Sequence, residues 1–209
     1  MRILAFCPTA RRLDERVLAG LVNQQSDGLY FDAMFTADNP YPPEWRLLYR
    51  NIQLNYEKMR KASEGYDKVF IVEHDMILPD GALKKLAEVD APVVGGLYCH
   101  RHGTPVPNFM RWYEGTKEQG SSYNWNEIKW GEPMRVTGAA MGCLLVDASL
   151  VQRFAWEDES NPVAPDVPFI RFCVREGVKQ YGHAGVVCGH IRPDGSVLWP
   201  DQQKGYRIA

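Results

Sequence analysis

Residues 68–86 read KVFIVEHDMILPDGALKKL, and the fold is decided there. Four apolar residues, Val69 to Val72, predict a central strand buried on both faces, because only a covered strand tolerates a continuous apolar run. Glu73, His74 and Asp75 follow where that run stops. Side chains alternate along a strand, so Glu73 and Asp75 are expected on one face and His74 on the other. Pro79 breaks the strand, and Asp80 is expected to cap a helix carrying Leu83, Leu86 and Ala87. In open α/β sheets, ligands bind beyond the carboxyl ends of the strands. Two neighbouring carboxylates there repel unless solvated or bound to a cation. Oxygen ligands of this kind suit Mg²⁺ or Mn²⁺, especially with diphosphate oxygens completing the shell. Taken alone, the triplet is equally the polar end of a strand.

Working outward, the flanks supply a repeating order. Ile3 to Cys7 reads as a buried strand ended by Pro8. Asp14 to Gln25 is expected to be helical, with Val17, Leu18, Leu21 and Val22 inward, and Leu29 to Thr36 as a second strand. NPYPPEW (39–45) is a loop, since its prolines remove backbone donors. Trp45, Leu48, Ile52, Tyr56 and Met59 then recur at helical spacing, and Gly65 closes that segment. Ala91 to Leu97 is another strand. This alternation predicts an α/β fold with a Rossmann-like, mostly parallel central sheet flanked by helices. The second part is smaller and mixed. It has a polar, aromatic stretch around 115–133, TGAAMGCLLV within 136–146, and a helix from Asp166 to Gly177 with Phe169, Ile170, Cys173 and Val174 inside. A hairpin over 186–199 turns at Pro193-Asp194-Gly195. No repeat or linker appears, so 1–209 is expected to be one domain with halves at 1–100 and 101–209.

The chain has 209 residues, 45% apolar and 24% charged, with a net charge of -2. That is ordinary globular usage, and it lacks the basic excess of a dedicated nucleic-acid binder. Five cysteines with no C-x-x-C fit reduced thiols better than a disulfide framework. No signal peptide and no membrane span is read, so a cytoplasmic protein is expected.

The Arg50-Asn51 pair, the strand ending in Glu73-His74-Asp75, PVVGGLY (92–98) followed by Arg101, and TGAAMGCLLVD (137–147) together resemble GT-A glycosyltransferases, in order and over nearly the whole chain. The resemblance implies a metal-dependent glycosyltransferase that moves a sugar from a nucleotide-diphosphate sugar, UDP first, to an acceptor hydroxyl. Residues 1–100 become the nucleotide-sugar half and 101–209 the acceptor and catalytic half. Asp75 and His190 are implied as ligands of Mn²⁺ or Mg²⁺, and Glu73 lies near ribose or metal. Phe6, Pro8, Thr9, Arg11, Arg50, Asn51 and Arg101 are implied on the nucleotide or its phosphates, and Asp166 as the general base. The brevity resembles phage and bacterial members. The acceptor is a glycan, a small molecule or, as in some phage enzymes, a hydroxymethylated DNA base.

Each residue also has a plainer reading. Asp166 would cap its helix, His190 would be a hydrogen-bonded structural histidine, and Gly138, Ala139 and Ala140 would pack strand against helix instead of admitting a substrate. Trp112, Tyr113, Tyr123, Trp125 and Trp130 would stack on sugars or anchor a loop. Cys99, His100 and His102 lack the fourth ligand a zinc site needs. A sugar nucleotidyltransferase is set back by CPTARRLDER (7–16), which has no glycine after the first strand. A non-catalytic nucleotide-sugar-binding module is set back by the acidic residues.

Overall fold

The computed structural model describes residues 1–9, 13–27, 29–37, 39–42, 44–101, 103–112, 120–157 and 163–209. The first half runs β1 (Ile3–Pro8), α1 (Glu15–Asn23), β2 (Phe31–Thr36), α2 (Trp45–Ala62), β3 (Lys68–Val72), β4 (Met76–Ile77), α3 (Ala82–Ala87) and β5 (Val93–Leu97). The second runs β6 (Phe109–Trp112), β7 (Gly120–Ser122), β8 (Pro133–Val136), β9 (Gly138–Ala139), β10 (Cys143–Asp147), α4 (Ala148–Arg153), α5 (Asp166–Arg175) and β11 (Gln180–Val187). It closes with β12 (Gly189–Ile191), β13 (Val197–Asp201) and β14 (Gly205–Ile208).

Seven strands form the main sheet in the order β2-β1-β3-β10-β5-β11-β8. β2, β1, β3, β5 and β11 point one way; β10 and β8 run against them. The sheet is therefore mixed α/β, with the expected parallel run interrupted where β10 inserts between β3 and β5. Alternation along the strands explains why both faces are apolar. Phe6, Val69 and Ile71 enter one core with Tyr56, Leu144, Phe169 and Trp156, beneath α2, α4 and α5. Ala5, Phe70 and Val72 enter the other with Val17, Leu21, Leu83 and Leu86, beneath α1 and α3. Each large side chain fully buried this way contributes about 1.5–3 kcal/mol.

Several local expectations are corrected. Leu18 and Val22 are exposed; α1 buries a narrower stripe through Val17, Gly20 and Leu21. Asp80 does not cap α3. Gly81 holds that position at φ 68, where a residue without Cβ is favoured, and Gln24 Oε1 accepts from Leu83 N at 3.0 Å across the fold. At α5, Pro165 is the cap residue and Asp166 is the first helical residue. That helix ends at Gly177, φ 66, with Val178 N bonded to Cys173 O at 2.9 Å and Gly177 N to Val174 O at 3.2 Å. This double bond pattern satisfies the last carbonyls.

The stretch expected as one strand over 186–191 is divided. β11 ends in the main sheet, and β12 joins a separate sheet ordered β14-β13-β12-β4. The hairpin at 193–195 is present, with Gly195 at φ 85 and β12 pairing β13 through His190–Leu198. A third sheet, β7-β6-β9, forms in the polar insert. Among the described residues no helix is long and apolar enough to cross a membrane.

Candidate functional site

The acid-x-acid triplet is not an alternating strand end. β3 stops at Val72, and Met76 N bonds Glu73 O at 2.9 Å, closing a turn over 73–75. The chain leaves the main sheet there and enters the small one as β4. The consequence is that Glu73, His74 and Asp75 all line one cleft of about 90 Å³, with Pro8, Asn39, Ile52, Asn55, Tyr56 and Arg101.

Pairing of β4 with β12 sets Met76 opposite His190, and Ile191 N bonds Asp75 O at 2.8 Å. Residues far apart in sequence thereby share one point: His190 Nε2 lies 3.5 Å from Asp75 Oδ2. On its other side, the His190 ring meets Cys99 O through Nδ1 at 2.7 Å. A carbonyl only accepts, so Nδ1 carries the proton. That bond fixes the ring's orientation and leaves Nε2 facing the carboxylate oxygen of Asp75. Tyr98 packs edge-on against the ring, 5.5 Å between centroids.

Asp75 is almost fully buried. Burial opposes its ionisation, but the hydrogen bond and charge of His190, with His74 and Arg101, more than offset it and hold the carboxyl below its usual range. Arg101 Nη1 pairs with Oδ2. Oδ1 is buried with no hydrogen-bond partner among the described residues. Glu73 is treated in the opposite way. Burial first, then the charges of Asp75 and Asp166, push it up to about 8; Arg101 and the nearby Tyr56 hydroxyl draw it back only in part. Tyr56 Oη does not reach hydrogen-bonding geometry and is itself unpartnered among the described residues, as is Asn55 Oδ1. Buried polar atoms are nearly always paired in folded proteins. Three orphans around one cleft mark a place built for a polar ligand.

The donor set fits a divalent ion. One carboxylate with a free buried oxygen and one imidazole nitrogen suit Mn²⁺ better than Mg²⁺. Among the described residues no group of three or more His, Cys, Asp or Glu side chains gathers for metal binding. Asp75 and His190 are thus two candidate ligands, fewer than a closed metal site holds.

No protein-family model matches this chain, and no curated protein sequence matches it. Its fold is shared with a solved structure. A197 from STIV matches with a TM-score of 0.64 and 13% identity, over 100% of this chain and 93% of that one. Inositol-1-phosphate CTP transferase from T. maritima matches at TM-score 0.45 and 10% identity, over 87% of this chain and 84% of that one. GalNAc-T7, solved with UDP, GalNAc and Mn²⁺, matches at TM-score 0.49 and 10% identity, over 91% of this chain and 44% of that one.

Of the other residues singled out in the sequence, Pro8, Glu73 and Arg101 reach the cleft wall. Phe6 lies beneath it, fully buried and edge-on to Tyr56 at 5.4 Å, so it shapes the floor through that ring. Thr9 is buried and donates its N to Thr36 O at 2.7 Å. Asn51 turns its carboxamide to the backbone of Tyr41, accepting from N at 3.0 Å and donating to O at 2.8 Å, as a strand partner would. Arg50 lies over the Tyr41 ring at 5.0 Å. The Arg-Asn pair thus pins the loop beside the cleft, because both side chains point toward it from α2. Arg11, His102 and Tyr113 lie outside the described residues.

Asp166 is held at the start of α5, and burial raises its pKa above the usual carboxylate range; its charge is felt by Glu73, Tyr49, Tyr56 and Tyr98. Gly138 decides where α5 sits: an added Cβ would lie 2.6 Å from Ile170 Cγ2. The small residues at 138 thus serve strand–helix packing. The Cys99 thiol is pushed up to about 12 by burial, which opposes zinc ligation there.

Asn55, Tyr56 and Asn39 were not picked out as site residues in the sequence. A signal existed. Asn51 and Asn55 stand four apart on a long helix, where asparagine is a poor helix former, and that spacing places them on one face.

Proposed function

We propose that this protein is a metal-dependent glycosyltransferase using a nucleotide-diphosphate sugar. The observation that carries the reading is the meeting of Asp75 and His190 beside a cleft with orphaned buried polar atoms, beyond the end of a central α/β strand. Residues 1–100 supply the nucleotide-facing wall, and 101–209 supply His190, Asp166 and the acceptor side. Asp75 and His190 would hold Mn²⁺, or Mg²⁺ less well, and the ion supplies Lewis-acid stabilisation to a diphosphate leaving group. Arg101, now on Asp75, is within reach of the same oxygens and adds a planar donor fork for phosphate. Asp166, a carboxylate with raised proton affinity, accepts the proton of the acceptor hydroxyl. UDP is the first donor to test, and a glycan or a hydroxymethylated DNA base the first acceptors.

The test is a thermal-shift panel of UDP, GDP, CDP and TDP with and without Mn²⁺, on wild type and Asp75→Asn. A ligand at a hundred times its Kd stabilises by about 2.7 kcal/mol, several degrees for a chain of this size. The expected result is a Mn²⁺-dependent shift with one nucleotide, absent in Asp75→Asn, followed by sugar transfer from the matching donor. A shift equal in the two proteins, or none with any nucleotide, removes the reading. Release of pyrophosphate instead of nucleoside diphosphate would reassign the protein as a nucleotidyltransferase.

A further inference from the structure

Two side-chain amides form a relay along one wall of the cleft. Asn39 Nδ2 donates to Thr9 O at 3.2 Å and to Ala37 O at 3.3 Å. Both acceptors are backbone carbonyls, so the orientation of the Asn39 amide is fixed: its nitrogen faces them and its oxygen faces away. Asn55 Nδ2 donates to that oxygen at 3.3 Å. The Asn55 amide is therefore oriented in turn, and its own oxygen is left over. Asn55 is 2% exposed, Oδ1 has no hydrogen-bond partner among the described residues, and the side chain lines the cleft. A buried acceptor on a side chain that lines a cavity calls for a donor from the occupant, and leaving it unmet costs about 1–3 kcal/mol.

The neighbours narrow what that donor is. Glu73 and Asp75 line the same small space, and Tyr56 Oη is also unpartnered among the described residues. A nucleobase edge offers N–H donors, but sets them beside ring carbonyl or nitrogen lone pairs that would face the oxygens of those two carboxyl groups. A sugar hydroxyl donates to an acceptor and accepts from Tyr56 Oη at the same time. Pro8 and Ile52 supply apolar surface for the carbon face of a sugar ring.

We infer that Asn55, oriented by Asn39 from Thr9, is the acceptor for a ribose hydroxyl of the bound nucleotide and gives the site its preference for ribonucleotides. This rests on the nucleotide-sugar reading of the same cleft. Asn55 is a binding residue; Asn39 is a positioning residue that acts through it.

The test is calorimetric titration of UDP, GDP and CDP in Mn²⁺, each beside its 2′-deoxy and 3′-deoxy counterpart. For the nucleotide that binds wild type, removing one of the two hydroxyls is expected to weaken binding about tenfold, the size of one buried hydrogen bond. Asn55→Leu should bind the ribonucleotide as weakly as wild type binds the deoxy form, and should no longer distinguish the two. Asn39→Ala leaves Asn55 in place but free to turn, and should narrow the same gap with a smaller loss; it serves if Asn55→Leu does not fold. A folded Asn55→Leu that still prefers the ribonucleotide tenfold overturns the inference, as does a wild type indifferent to both hydroxyls. Discrimination among bases that Asn55→Leu abolishes, with no effect of deoxygenation, also overturns it and assigns Asn55 to the base. Absence of binding by all three ribonucleotides fails the nucleotide reading itself, and the inference with it.

Discussion

The cleft and the aromatic insert around β6 to β8 use similar residues to opposite ends. In the insert, Glu127 accepts from Asn124 N at 2.8 Å and Asn124 Nδ2 at 2.9 Å and pairs with Arg111. The Arg111 guanidinium lies 4.4 Å over the Tyr123 ring. Trp125 stacks on Trp130 at 6.3 Å and donates Nε1 to Pro105 O at 3.1 Å. The Arg111 hydrogen bond, then that of Asn124, holds Glu127 down at about 2. Glu127, Asn124 and Trp125 meet partners within the insert or next to it, and the aromatic rings anchor a loop. In the cleft, Glu73 is forced up and three buried atoms wait. The difference separates two settings for polar residues: where the protein supplies the partner, the group stabilises the fold, and where it withholds the partner beside a cavity, the group is open to a ligand.

Breaking the cleft side should give the largest effect. Asp75→Asn removes the charge that pairs Arg101 and faces His190, and should abolish the Mn²⁺-dependent nucleotide shift while the metal-free protein still folds. Next comes Gly142→Ala. Gly142 N donates to Tyr98 Oη at 3.0 Å and its carbonyl accepts from Glu73 N at 3.0 Å; an added Cβ would sit 2.8 Å from the Tyr98 ring. Displacing that ring should cost about 1–3 kcal/mol, as overpacking does, read by denaturant titration, and should weaken Mn²⁺ binding because Tyr98 backs His190.

Glu73→Gln sharpens the comparison through pH. The folded-state value, about 8, lies above the ordinary 4.5, so the folded state binds the extra proton between the two. In chelator, the metal-free wild type should lose stability as pH rises from about 5 through about 8, while Glu73→Gln stays flatter and melts about 2–4 °C higher at pH 8.5. Equal pH profiles would remove the burial argument. The smallest effect belongs to Glu127→Gln, where the sign reverses. A lowered carboxyl contributes stability above its ordinary 4.5 that is lost as pH falls toward about 2. The group is exposed, so the melting temperature at pH 7 should fall by no more than about 2 °C, with the acid limb of the profile flattened.

Much of this was readable in the chain itself. Val69 to Val72 and Ile3 to Cys7 announce strands because both faces are covered, and an unbroken apolar run has few other uses. Gly177 and Pro193-Asp194-Gly195 announce their turns because backbone geometry restricts which residues fit. What escaped was set by pairing between distant segments. Residues 73–75 turn because β4 pairs with β12, which local alternation does not encode. In the start of β11, position 182 is glycine because it must pass the Phe109 ring, which would lie 2.5 Å from an added Cβ. The orphaned oxygen of Asn55 depends on Asn39 sixteen residues earlier, and the orientation of an amide leaves no trace in the letters.

The pairing of Met76 with His190 also governs when this site can exist. During synthesis, residues 1–100 can emerge and stack their parallel strands while Asp75 still lacks its imidazole. Only after β12 leaves the ribosome and closes that long loop do Asp75 and His190 meet, so on the proposed reading a metal ion would be captured late in folding and would not seed it. On that reading metal binding would report on the pairing of β4 with β12, and a defect in the 193–195 hairpin should silence the cleft without touching any residue that lines it.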